Sequence, residues 1–278
     1  MYPILFEVFG VPVRSYGLML VIGFILAIVL AWRRGPKYGA DLDTILDLGV
    51  VLLVSGVIGA RIGWVVQEWS SYRENPISVL YIWQGGLTYF GGLAAGVLAG
   101  LWYAHRRKIS FWRWADLCAP SIALGYAIAR VGCFLNGCCY GSPTTLPWGC
   151  TFRTPDGGFT PPSHPSQLYA TLANLLIVGI LLWWDRRDGR QGQIFWGFLL
   201  LHGLYRFFYE FTRAGTTSTY LIPGLLTDAQ AVALLVVAAG AIGLRWSGRR
   251  GVPRWAAPEE RVSPARPAQP EPSSQPGS

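Results

Sequence analysis

RSYGLMLVIGFILAIVLAWRR, residues 14–34, decides the fold class: from Ser15 to Trp32 the chain carries no charged side chain. About 20 mostly apolar residues are enough to cross the hydrocarbon of a bilayer as a helix. Working outward, runs of the same kind recur along the chain, and the predicted spans are 17–34, 45–66, 85–104, 115–134, 168–184, 193–211 and 225–245. The composition agrees. Of 278 residues 52% are apolar and 14% charged, against roughly 25% charged in an average soluble domain. An ordinary soluble enzyme is excluded, and the expected class is an all-α integral membrane protein with about seven transmembrane helices.

The formal net charge of +8 would suggest nucleic acid in a soluble protein, but here the basic residues flank the apolar runs and act as topology signals, so no nucleic-acid partner is expected. Arg33, Arg34 and Lys37 follow the first span, Arg106, Arg107, Lys108 and Arg113 the third, Arg186, Arg187 and Arg190 the fifth, and Arg245, Arg249, Arg250 and Arg254 the seventh. The other side holds Arg14, Arg73, Arg153 and Arg213. Because basic loops stay cytoplasmic, this bias predicts the N-terminus outside and the C-terminus in the cytoplasm. The basic residues of the first span come after its apolar run, unlike those of a cleaved signal peptide, so the span is expected to be retained. Residues 1–250 are expected to form the transmembrane domain and 251–278, rich in Pro and Ser, a disordered cytoplasmic tail. No internal repeat points to an inverted-repeat transporter.

With the loop and tail charges set aside, Arg61, Arg130, Arg206 and Glu210 stand out within or at the edge of the predicted spans. Each would cost a few kcal/mol facing lipid, so each must face protein or a wet cavity. Arg206 and Glu210 lie four apart on one helical face and form either a structural ion pair or part of a site. Three arginines against one carboxylate leave excess positive charge, and the guanidinium fork suits phosphate oxygens, which makes a phospholipid head group the natural anion. Gly85, Gly86, Gly91 and Gly92, and Gly132, Gly137 and Gly141, fit close approach of ligand or close helix packing. Asn136 either orients a lipid oxygen or caps its helix, and Tyr16 is either an interfacial aromatic or part of the site. His164 either caps the fifth span with its serine neighbours or reaches a substrate, His105 is expected to lie on the surface, and His202 is a weak candidate. Cysteines 133, 138, 139 and 150 cluster near one outer loop, where Cys138 or Cys139 is placed to bond Cys150. Without paired CxxC spacing a zinc site is not expected, and a thiol nucleophile lacks an evident base.

Four ordered segments resemble the prolipoprotein diacylglyceryl transferase family: RSYGLML at 14–20, GARIGW through WQGGLTYFGGL at 59–93, GYAIARVGCFLNGCCYG at 125–141, and HPSQLY followed by GLYRFFYEFTR at 164–213. The resemblance implies a multi-pass protein of the bacterial cytoplasmic membrane, with phosphatidylglycerol and preprolipoprotein signal peptides as partners. Such an enzyme transfers the diacylglyceryl group to a lipobox cysteine, forms a thioether and releases glycerol phosphate; no metal or organic cofactor is implied. By resemblance Arg130 binds phosphatidylglycerol, Arg206 is the second essential arginine with Glu210 as its neighbour, and Tyr16 lies near the lipid site. Arg61, Asn136, Gly137, Gly141, Gly91 and Gly92 occupy further motif positions around the head group. Three positions depart from the pattern. Phe90 replaces a histidine, Cys133 an asparagine and Cys138 an acidic residue. Either another group serves as base, such as Tyr16, Glu210 or the substrate thiolate itself, or the chain is a divergent, non-catalytic or repurposed phospholipid-binding protein of the same fold.

Overall fold

The computed structural model describes residues 2–8, 11–73, 75–81, 85–154, 156–213, 220–222, 225–249 and 252–255. The chain is mostly helical: α1 Ser15–Tyr38, α2 Leu42–Gln67, the short α3 Trp69–Tyr72, α4 Tyr89–Arg106, α5 Phe111–Asn136, α6 Ser166–Asp185, α7 Gln193–Phe211 and α8 Asp228–Arg249. Two small antiparallel hairpins, β1 Ile4–Val8 with β2 Val11–Arg14 and β3 Tyr220–Ile222 with β4 Leu226–Thr227, close one end. Each predicted span corresponds to a long helix.

Five helices, α1, α2, α5, α6 and α8, are long and apolar enough to cross a membrane. α4 and α7 fall short of that measure for a physical reason. α4 is short and glycine-rich, and α7 carries His202, Arg206 and Glu210 along one face. A protein with this many apolar helices, many of their large side chains exposed (Val50, Ile58, Leu98, Leu176 and Leu235 among them), is an integral membrane protein.

Local chemistry explains the helix ends. Asp41 accepts the N–H of Thr44 at 2.9 Å and starts α2, supplying one of the acceptors a helix N-terminus lacks. α1 ends on Gly39 and α5 on Gly137, both left-handed, with φ of 69° and 77°. At the end of α5 the N–H of Gly137 reaches the Phe134 carbonyl and that of Cys138 the Cys133 carbonyl, each at 3.1 Å. That pair of bonds is a Schellman motif, in which the residue after the glycine packs on one five positions earlier.

α1 and α5 run antiparallel at close range. A methyl on Gly23 would sit 3.1 Å from the Gly125 carbonyl oxygen, and one on Gly132 3.3 Å from the Cα of Tyr16. Small residues permit such backbone approach in membranes. Gly91 and Gly92 play the same part between α4 and α2: a methyl on Gly59 would lie 2.6 Å from the Gly91 oxygen, and one on Gly92 3.0 Å from the Gly56 oxygen. For these two glycines the structure supports close packing, and it puts no ligand-facing role on them.

The end remote from Tyr16 is tied by a buried ionic network. Pro120 in α5 has no N–H, which frees the carbonyl of Asp116 one turn earlier; Arg34 donates to that carbonyl at 3.2 Å and to the Leu117 carbonyl at 2.6 Å. Arg34 also pairs with Asp185 at 3.1 Å, and the Tyr38 hydroxyl donates to Asp185. The Asp116 carboxylate accepts the N–H groups of Gly192 at 2.7 Å and Phe195 at 2.8 Å, capping α7. Arg254 enters from beyond α8 to lie 3.8 Å from Asp116 and 3.7 Å from Asp185, fully buried. Packing therefore continues past the boundary expected at 250, through Val252–Trp255; residues 256–278 lie outside the described residues.

Candidate functional site: an arginine and tyrosine pocket at one end of the bundle

The opposite end gathers the side chains that the sequence singles out. Arg130, in the last two turns of α5, donates from Nη2 to the Tyr126 hydroxyl at 2.6 Å and lies over the rings of Tyr126 (4.7 Å) and Tyr209 (5.9 Å). No carboxylate lies within ion-pair distance of it among the described residues. Its Nη1 and Nε are the groups an anion would meet. Arg206 on α7 stacks on the same Tyr209 ring at 5.3 Å and pairs with Glu210 at 2.5 Å, the carboxylate being buried while the guanidinium is 31% exposed. A buried charge left alone is costly, whereas this pair leaves Arg206 with donors directed outward. Tyr209 thus joins the two arginines, and one diffuse anion with several oxygens matches them better than a carboxylate does.

Tyrosines and a histidine line the inner wall. The ring of His202 lies 5.3 Å from those of Tyr126 and Tyr205, and its Nδ1 is 3.1 Å from the side-chain oxygen of Asn174. His202 is a buried wall group of this pocket. Tyr126, Tyr205, Tyr209 and Asn174 were missed by sequence reasoning. Their signal was present as Tyr126 four residues before Arg130 and as the tyrosines flanking Arg206 in YRFFYE. Below the pocket, an apolar cavity of about 310 Å³ runs between α1, α2 and α5, lined by Phe24, Ile28, Leu48, Leu52 and Leu117 and reaching Tyr126.

Tyr16, half-exposed at the start of α1, lies within electrostatic reach of Arg130 and of Cys133, Cys138 and Cys139. Asn136 closes α5; the left-handed cap itself is Gly137. Gly141 is packed where a side chain would strike the Thr212 carbonyl and Ser166, and its N–H donates to the His164 carbonyl at 2.9 Å. It fits the loop to α6 and α7. Gln167, also missed, holds that loop by donating to the Cys138 carbonyl at 2.7 Å.

Two expected assignments change. Arg61 is buried, and four of its N–H groups donate to the carbonyls of Ser78, Val79, Gly85 and Gly86 at 2.7–3.0 Å, so it ties Ser78 and Val79 to Gly85 and Gly86 and has no free fork for phosphate. His164 does not cap α6, whose first turn begins after Pro165; its ring lies 3.4 Å from the Tyr169 hydroxyl. His105 is exposed, as expected.

The cysteines also differ from expectation. All five are free. Cys150 pairs its backbone with Ser163 and points its thiol to the Trp148 carbonyl. The sulfurs of Cys133, Cys138 and Cys139 lie within 4.8 Å of one another. Linear spacing concealed this, because the Schellman turn, followed by Cys139 at φ of 64°, folds the second and third thiols back onto the first.

The helical bundle, with its two arginines and tyrosines at one end beside an apolar cavity, defines an integral membrane protein with a cationic pocket. The family model for prolipoprotein diacylglyceryl transferase matches residues 3–246. A phosphatidylglycerol–prolipoprotein diacylglyceryl transferase of Geobacter sulfurreducens is 37% identical over 80% of this chain and 86% of its own length. Proteins of the same name from Clostridium tetani (30% identical, 86% of this chain and 95% of the relative) and Bordetella bronchiseptica (34%, 86% and 92%) are similar as well. The chain belongs to the prolipoprotein diacylglyceryl transferase family.

Proposed function

We propose that this chain transfers the diacylglyceryl group of phosphatidylglycerol to the lipobox cysteine of preprolipoproteins, at the outer face of a bacterial cytoplasmic membrane. The observation that carries the reading is Arg130, a guanidinium held by Tyr126 and Tyr209 with no carboxylate partner among the described residues, above an apolar cavity. The head-group phosphate sits against Arg130 and Arg206, and an acyl chain lies along α1, α2 and α5. As sulfur attacks the glyceryl carbon, negative charge grows on the departing phosphate ester, and cations already in place stabilise that charge without rearranging. Tyr16, Asn136 and Gly137 shape the outer rim, and Glu210 fixes Arg206. The relatives' names support an active transferase over a non-catalytic lipid-binding protein.

We infer seven spans with the N-terminus outside. Tyr16, Arg130 and Arg206 share one end, the fourteen-to-four bias of basic residues marks the other as cytoplasmic, and α4 and α7 complete the alternation. Residues 1–250 supply the transferase domain.

The test is direct. Purified protein in detergent, given phosphatidylglycerol and a lipobox peptide, is expected to raise the peptide mass by one diacylglyceryl group. No shift alongside an active relative would overturn the assignment.

A further inference from the structure

The sulfurs of Cys133, Cys138 and Cys139 converge within 4.8 Å on the flank of the pocket that holds Tyr16 and Arg130. We propose that these three thiolates bind one zinc ion whose fourth position takes the substrate thiol. The proposal rests on the transferase reading above and supplies the activation step that reading lacks, since Phe90 cannot accept a proton.

Several observations independent of one another point to a ligand. The Schellman turn places Cys138 over Cys133, a contact usually made by two apolar side chains. Cys139 adopts a left-handed backbone at φ of 64°, which L-residues with a side chain rarely take and which persists where the surroundings demand it. Zinc–sulfur bonds of about 2.3 Å in a tetrahedron put sulfurs roughly 3.8 Å apart, so the cluster needs only a small contraction. Cys133 is buried and Cys139 exposed, which leaves the centre open on one side. Three protein ligands with an open fourth position is the form of a catalytic zinc site, whereas structural sites are closed by four. Three thiolates and Zn²⁺ sum to one negative charge, and Arg130, within electrostatic reach of Cys133 and Cys139, offsets it. Cys150 stands apart and takes no part.

The step balances without an oxidant. On binding the metal, the lipobox thiol gives up its proton to water, because a thiol bound to zinc is held as thiolate. Its sulfur forms the S–C bond to the glyceryl carbon as the C–O bond to phosphate breaks. The electron pair of that bond leaves on glycerol phosphate, which takes up a proton from water. Zinc stays divalent throughout and holds the nucleophile beside the carbon that the arginines position.

Metal content and spectroscopy test this apart from transfer. Protein purified in detergent and loaded with zinc sulfate is expected to hold one equivalent of zinc after desalting. Cys133→Ser, and the double variant Cys138→Ser with Cys139→Ser, are expected to lose it, while Cys150→Ser keeps it. A cobalt-loaded sample should show thiolate-to-metal charge transfer and tetrahedral d–d bands, and a lipobox peptide should shift those bands where its Cys→Ser analogue does not. Wild-type protein without zinc, or with two of the three cysteines joined as a disulfide by peptide mapping, overturns the site. Bound cobalt whose bands ignore the peptide overturns the activation role. Transfer without zinc leaves the transferase standing and removes this proposal; zinc and peptide binding without transfer does the reverse.

Discussion

Replacing Arg130 with alanine removes the cation that the pocket is built around, and its cost can be worked from the geometry. Nη2 is committed to Tyr126 at 2.6 Å, so Nη1 and Nε remain for the phosphate. A hydrogen bond to a charged group contributes about 1.5–3 kcal/mol; two of them, strengthened as charge develops on the leaving phosphate, give roughly 3–6 kcal/mol, which at about 1.36 kcal/mol per decade is a loss of about 10² to 10⁴ in kcat/KM. Lysine keeps the charge but not the planar fork or the bond to Tyr126, so Arg130→Lys is expected to fall between the two, losing about 10- to 100-fold. Initial rates of peptide mass shift with phosphatidylglycerol in detergent measure both, and thermal unfolding of each variant separates catalysis from folding. If Arg130→Ala stays within tenfold of the wild type while folded, Arg130 does not hold the reacting phosphate.

The remote ionic network should be the most sensitive point for stability. Arg34→Ala leaves Asp185 buried with reduced compensation and is expected to cost about 3–5 kcal/mol, seen as a lower Tm in detergent. Gly59→Val is expected to overpack the contact of α2 with α4, costing about 1–3 kcal/mol; a Tm equal to wild type would mean the two helices do not approach as described. Asp41 is held below its ordinary pKa of 3.8 by the hydroxyl and N–H of Thr44, so its contribution is complete above that value and is lost as pH falls through the lower folded value. Asp41→Ala, at a cost of about 1 kcal/mol near neutral pH, should therefore unfold with a weaker dependence on pH between about 5 and 2 than the wild type.

The apolar runs made the helices legible because every one of the long helices carries its own signal, and Arg130, Arg206 and Glu210 were legible because charge inside an apolar run is expensive. Asp116 was not, although it lies in a predicted span, because its partners come from Gly192, Phe195 and Arg254, far away in sequence. Arg34 and Arg254 looked like surface charges marking topology, and both are buried; a basic residue at the end of a span gives no local sign of which way it turns. Arg61 was read correctly as facing away from lipid, but only the placement of Ser78, Val79, Gly85 and Gly86 reveals that their carbonyls take four of its donors. The thiol cluster was written in the order Cys133, Gly137, Cys138, and recognising the helix stop at that glycine would have brought the first two together. Cys139 joins them by a left-handed residue that no sequence rule requires.

Arg254 comes after the last long helix, yet it lies against the carboxylates of Asp116 and Asp185. Two acids and two guanidinium groups balance only once that residue has been synthesised. During translation the far end of the bundle therefore waits, one positive charge short, until the chain has been read past α8. A stop codon just past Arg249 would spare every long helix and still leave that account unsettled, so the closing stitch of this membrane protein lies outside its membrane-spanning segments.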